Sequence, residues 1–203
     1  SEQTDGLSDL LSQQRRLRVE RALEIADRLS RLGAPIDAEA LVASATASGG
    51  KSLGRPQIAR ALVAAGHVPT VAEAFDTHLA EDGPAYVPHR GASPAEVVDL
   101  VRRGGGVTSL AHPGYRQRDE IIPELAAAGL TALEAYHSSH DVALQHHYVR
   151  LADQLHLAVT GGSDYHGEGA RRAEFLGVTQ LPDDRFEAFL ARAGRSLESV
   201  VRA

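Results

Sequence analysis

Apolar positions recur along this chain in two different rhythms, and the change falls near residue 92. From Ser8 to Leu32, Ala22, Ile25, Ala26, Leu29 and Leu32 are spaced by three or four, which predicts a helix. Ser8 or Asp9 caps its start, and Gly33 followed by Pro35 stops it. The residues before it, 1–7, read as a polar lead-in. A short helix is expected over 37–45, a loop at Ser48-Gly49-Gly50, and a helix over 56–65 with Pro at its first turn and Gly66 after it. Thr70 caps a further helix through Leu79, with Glu73 placed for a capping box. Residues 8–92 therefore read as an all-helical part that ends in a Gly- and Pro-rich connector.

Beyond Ser93-Pro94 short apolar runs alternate with helical stretches. A helix capped by Ser93 runs to Arg103. Strands are expected at 107–111, 133–136, 157–160 and 175–178, with helices over 120–128, 142–156 and 184–193. Strands alternating with helices imply an α/β fold with a parallel sheet or barrel. In such folds the chemistry collects at the carboxyl ends of the strands.

Three strand ends here carry residues of one kind. The first ends in Ala111-His112-Pro113-Gly114, the second in Glu134-Ala135-Tyr136-His137, the third in Gly161-Gly162-Ser163-Asp164-Tyr165-His166. Asp164 and His166 are two apart, so an extended segment puts both on one face. Pro113 biases His112 toward an extended conformation. Gly161 and Gly162 permit a close backbone approach or positive φ. His112, Asp164 and His166 are candidate ligands for Zn, Mn or Fe. His137 has three open roles: metal ligand, proton donor or phosphate contact. His140 is expected at the start of the following helix. His146, His147 and His156 are expected to be structural or exposed.

Composition narrows the chemistry. The 203 residues include ten histidines, seven of them between His112 and His166, and no Cys, Met or Trp. Without Cys there is no thiolate metal site, disulfide or cysteine nucleophile, so a transition metal must be held by His and carboxylate. A net charge of −6 with 24% charged residues argues against an extensive nucleic-acid groove. It leaves room for a small phosphate site. The cations are 20 Arg and the single Lys51. Arg55 opens a helix, where free N–H groups and a guanidinium fork suit an anion. Arg116 and Arg118 follow the His112 turn. No run of 18 apolar residues is present, so no membrane span is predicted. No signal-peptide pattern is visible either, and a cytoplasmic location is the expectation.

In their order, these motifs resemble the PHP (polymerase and histidinol phosphatase) family of metal-dependent phosphoesterases. They are Gly54-Arg55-Pro56-x-Ile58-Ala59-Arg60, Pro84-Ala85-Tyr86-Val87-Pro88, Gly105-Gly106-Val107 leading to Ala111-His112-Pro113-Gly114, Glu134-Ala135-Tyr136-His137, and Gly162-Ser163-Asp164-Tyr165-His166-Gly167. The branch they resemble acts on nucleoside 3′,5′-bisphosphates and the 5′ ends of short RNAs. The match runs from about Leu10 to Gly177.

The resemblance implies a distorted (β/α)7 barrel with a helical insertion, here residues 8–92, and two or three divalent ions, Mn, Fe or Zn. It implies that His112, Asp164 and His166 bind metal, that Arg55 holds a substrate phosphate and that His137 lines the pocket. His137 and Arg116 are the candidate catalytic side chains, Arg116 by offsetting phosphoryl charge. Gln57 stands where the family commonly has His, and can donate a hydrogen bond without carrying charge.

The family's opening His-x-His, Asp-His-Asp and later Glu and His motifs have no counterpart here. Three ligands cannot fill two or three metal sites, so the expectation is the C-terminal portion of a PHP protein. The segment bearing the other ligands would then lie on the same protein or a partner chain. Two readings compete with a nucleotide phosphoesterase: a histidinol-phosphate-type phosphomonoesterase, and a non-catalytic fragment that binds a phosphate ligand or a partner.

Overall fold

The computed structural model describes residues 2–47, 53–115, 118–165 and 173–195. Two compact units result. One is Ser8–Ala92, the other Ser1–Leu7 with Ser93–Ala203.

The first unit is helical. Helix α1 spans Glu2–Arg31, its residues before Ser8 being counted with the other unit, α2 Ala38–Ala47, α3 Arg55–Ala64 and α4 Val71–Ala74, the last continuing as a π-turn over Phe75–Leu79. Ala22, Ile25 and Leu29 of α1 meet Ile58, Ala59 and Leu62 of α3, together with Leu79, Ala85 and Val87. The three-and-four spacing of the α1 residues puts them on one face. Asp37 Oδ1 accepts from the Ala40 N–H at 2.9 Å and Thr70 Oγ1 from Glu73 N–H at 3.1 Å, so both starts are capped as their sequences imply. The lead-in differs from expectation: α1 begins six residues before Ser8. Gly6 is tolerated inside the helix because a Cβ there would stand 3.3 Å from Leu100 Cδ1, a tight contact that its absence avoids.

The second unit is a three-stranded parallel sheet with helices. Helix α5 spans Pro94–Arg103, strand β1 Ser109–Leu110, α6 Ile122–Ala128, β2 Ala132–His137, α7 Val142–Gln154, β3 Ala158–Gly162 and α8 Asp183–Arg192. The order is β1-β2-β3, both pairings parallel. Ser93 caps α5 reciprocally with Glu96: Ser93 N–H donates to Glu96 Oε2 at 2.6 Å and Glu96 N–H to Ser93 Oγ at 3.3 Å. Leu133 and Ala135 of β2, Val159 of β3, and Tyr148 and Ala152 of α7 form the core with Ile122 and Leu125 of α6.

Two strand expectations need correction. The first strand is only two residues long. The segment 175–178 is not a strand: a 3-10 turn covers Ala173–Phe175 and Gly177 takes φ +76°. Its apolar residues look like a buried run, yet Leu176 and Val178 are 62% and 68% exposed, so no core face drives them into a sheet. Among the described residues, no helix is long and apolar enough to cross a membrane.

Candidate active site at the strand ends

The β2–β3 register carries the first construction step. Glu134 pairs with Thr160, but Tyr136 pairs with Gly161 and His137 with Gly162. One residue, Ala135, is therefore extra in β2. Bulges of this kind re-aim side chains. Tyr136 joins the apolar cluster beside the helices, and His137 turns toward the strand ends. Its Nε2 lies 3.9 Å from Asp164 Oδ2, and its ring centroid is 5.5 Å from that of His112. His137 is 1% exposed. Gly161 makes the close pairing feasible, since a Cβ there would be 2.5 Å from Tyr136 Cβ and 2.7 Å from its carbonyl oxygen.

His112 is not extended, as Pro113 would bias it to be. Its φ is +34°. Its N–H donates to Glu134 Oε2 at 2.6 Å and its carbonyl accepts from Tyr115 N–H at 3.1 Å. These two bonds override the local preference. Asp164 likewise takes φ +57°, so the backbone at Asp164 is not the extended one expected there. His166 itself lies outside the described residues, as does Arg116. Of the three non-glycine residues described with positive φ, two are thus the ligand candidates His112 and Asp164. Such backbone costs about 1 kcal/mol or more each and gathers at functional sites.

Glu134 is the residue that the sequence did not single out. Partial burial pushes its carboxyl above the usual carboxylate range. The His112 N–H and the His112 and His140 side chains oppose that shift, while the Asp164 charge adds to it. Glu134 thus lies within electrostatic reach of His112, His140 and Asp164. Behind the site, Ser138 Oγ donates to the Ser163 carbonyl at 3.1 Å, tying the turns after β2 and β3. The only sequence signal for Glu134 was its place in a strand ending in His.

The remaining histidines separate cleanly. His140 is buried, 5% exposed, with Nδ1 2.8 Å from the Ala135 carbonyl. His147 bonds Asp119 at 2.6 Å, and Tyr148 hydroxyl donates to the other Asp119 oxygen at 2.9 Å. His146 is exposed, and His156 ends α7 with φ +56°. Arg118 pairs with Glu120 at 2.6 Å.

In the helical unit, Arg55 Nη1 donates to the Leu79 carbonyl at 2.9 Å. Its guanidinium lies 5.8 Å from the Phe75 ring centroid and 5.5 Å from that of Tyr86. Arg21 Nε donates to the Val87 carbonyl at 2.7 Å. Burial lowers the pKa of the Arg21 guanidinium, and the nearby Arg55 charge lowers it further. With Arg18 and Gly54 they line a cleft of about 20 Å³, enough for about one water. Gln57 is partly committed: its Oε1 accepts from the Gly54 N–H at 3.1 Å.

Among the described residues, no group of three or more His, Asp or Glu converges to hold a metal ion. His112 and Asp164 offer imidazole and carboxylate donors, chemistry that fits Zn, Mn or Fe.

No family model matches the chain. It is 32% identical over 126 residues to the 3′,5′-nucleoside bisphosphate phosphatase of Chromobacterium violaceum, covering 59% of this chain and 44% of that protein. It is 30% identical over 165 residues to the 5′-3′ exoribonuclease Rnm of Escherichia coli, covering 79% and 55%. Among solved structures, a protein of Bifidobacterium adolescentis assigned as a metal-dependent phosphoesterase is 33% identical with a TM-score of 0.75, covering 91% of this chain and 66% of that one. The chain is a relative of the PHP-type metal-dependent phosphoesterases. It spans between 29% and 59% of the length of the curated relatives it matches. The PHP-type likeness extends over both units, since the structural match reaches 91% of the chain.

Proposed function

We propose that this chain carries part of the active site of a metal-dependent phosphoesterase. Its substrates are nucleotide phosphate esters: nucleoside 3′,5′-bisphosphates or short 5′-phosphorylated oligonucleotides. The observation that supports this most is the proximity of His112, Glu134, His137 and Asp164 at the ends of three parallel strands, with two of the three ligand candidates, His112 and Asp164, in left-handed backbone. The named activities of the bisphosphate phosphatase and the exoribonuclease supply the substrate class. In this reading the sheet belongs to a PHP-type (β/α)7 barrel and residues 8–92 are its helical insertion.

His112 and Asp164, with His166, hold divalent metal, for which Mn, Fe and Zn are the candidates. A bound ion of this kind supplies Lewis-acid stabilisation and an activated water. The chain's own residues do the rest. Glu134 fixes the His112 backbone and so the direction of its imidazole. His137 lines the pocket beside Asp164. Arg55 and Arg116 bind phosphate oxygens and offset their charge, with Gln57 as a neutral donor.

The test is a substrate panel on the purified protein supplied with Mn²⁺. Release of phosphate from nucleoside 3′,5′-bisphosphate or stepwise shortening of a 5′-phosphorylated RNA supports the reading. Hydrolysis of histidinol phosphate with neither of these overturns the substrate assignment. Nucleotide binding without any hydrolysis favours the non-catalytic reading.

A further inference from the structure

We infer that His140 is the positioning residue of this site: it pins the β2 bulge that aims His137, and the two imidazoles stand in opposite tautomers. The functional consequence rests on the strand ends being the active site. The tautomers do not.

Glu134 and His137 are three residues apart. In an uninterrupted strand such residues point to opposite sides of the sheet. Here the extra residue, Ala135, inverts the alternation, and a bulge leaves its residue outside the regular ladder. The Ala135 carbonyl receives instead the Nδ1–H of His140 at 2.8 Å, inside the protein. A buried carbonyl without such a donor costs about 1–3 kcal/mol, so the bulge depends on this bond. His140 is itself fixed from several directions. Its N–H donates to the His137 carbonyl at 2.9 Å, its own carbonyl accepts from Gln145 Nε2 at 3.0 Å, and its ring packs between those of His137 and Tyr148, each 5.2 Å away by centroid.

A carbonyl oxygen can only accept, so the proton of a neutral His140 ring sits on Nδ1. Its Nε2 is then a bare lone pair, buried and without a hydrogen-bond partner among the described residues. It lies against Gly114, where a Cβ would stand 2.8 Å from it. The ring therefore also spaces the turn that carries His112.

His137 is wired the other way. The Ser139 N–H donates to its Nδ1 at 3.1 Å, and the Ser139 hydroxyl lies 2.8 Å from the same atom. With Nδ1 accepting, the proton of a neutral His137 ring sits on Nε2, the atom 3.9 Å from Asp164 Oδ2. Of the three roles the sequence leaves open for His137, this tautomer favours the donor: the ring turns an N–H, rather than a lone pair, toward the Asp164 carboxylate.

The experiment is long-range ¹H–¹⁵N correlation NMR of the histidine side chains, with the His137 and His140 signals assigned by His137→Gln and His140→Asn. The expected wild-type result is Nδ1–H for His140 and Nε2–H for His137. An Asn amide can occupy the place of Nδ1 and donate to Ala135, so His140→Asn keeps the His137 tautomer. His140→Leu removes the donor, and His137 then shifts to mixed tautomers. In the hydrolysis assay His140→Leu loses kcat about tenfold to a hundredfold with little change in KM, and His140→Asn restores it. Wild-type His137 carrying its proton on Nδ1 overturns the inference. So does an unchanged His137 signal in folded His140→Leu. If His140→Leu does not fold, the wild-type tautomers and the Asn variant decide. Opposed tautomers in a protein that hydrolyses no phosphate ester would sink the functional reading and leave the wiring intact.

Discussion

The main-chain N–H of His112 donates to the Glu134 carboxylate at 2.6 Å, and does so from a left-handed backbone conformation. A side chain on β2 thus holds the backbone that follows β1. The bond offsets the cost of the positive φ, and its loss frees the turn. Glu134→Ala is expected to lower stability by about 2 kcal/mol, read as a shift in urea midpoint at constant m-value. Glu134→Gln keeps an acceptor oxygen and should lose less than about 1 kcal/mol. Equal losses in the two variants would show that the bond does not hold the turn.

Gly161 has no room for a side chain. A Cβ would press on Tyr136 Cβ and on its carbonyl oxygen, and backbone cannot step aside as a side-chain end can. Gly161→Ala should cost about 1–3 kcal/mol and disturb the β2–β3 register, visible as loss of amide-exchange protection around Tyr136 and His137. Gly162→Ala is the control, since its Cβ would meet nothing closer than 3.7 Å. It should cost less.

Tyr148 is buried with its hydroxyl on Asp119, and burial and that carboxylate push its pKa well above the ordinary tyrosine value. The folded state therefore keeps the proton that the unfolded chain gives up near pH ~10. The contribution is complete below that pH and is lost as pH rises above it. A spectrophotometric titration of the five tyrosines should leave one un-ionised until the protein unfolds. Tyr148→Phe should remove that straggler and cost about 1 kcal/mol at neutral pH. If all five titrate together in the folded protein, the bond to Asp119 is not formed.

The strand-end clustering was legible in the sequence because His and Asp following short apolar runs have few other structural explanations when three such ends agree. Helix caps at Thr70 and Ser93 were legible for the same local reason. What escaped is non-local. Glu134 acts on a backbone group 22 residues away, and no pattern announces that partner. The Ala135 bulge cannot be read from alternation, since an inserted residue looks like any other in a short apolar strand. His112 was misread because the bias imposed by Pro113 is weaker than two hydrogen bonds. Phe175-Leu176-Gly177-Val178 was misread because an apolar run says nothing of whether a core lies beside it. His140 passed as a helix-start residue because its sequence neighbours are polar, while its spatial neighbours are Ala135, His137, Gly114 and Tyr148.

The central claim is that the carboxylate of Asp164 and the imidazole of His112 take part in metal-dependent phosphate-ester hydrolysis. The most direct measurement is phosphate release from nucleoside 3′,5′-bisphosphate by the purified protein in Mn²⁺, compared with Asp164→Asn and with the same protein in EDTA. The account predicts turnover that EDTA abolishes and that Asp164→Asn lowers at least about a hundredfold, with the variant still folded by circular dichroism. Turnover that survives both EDTA and Asp164→Asn would contradict it.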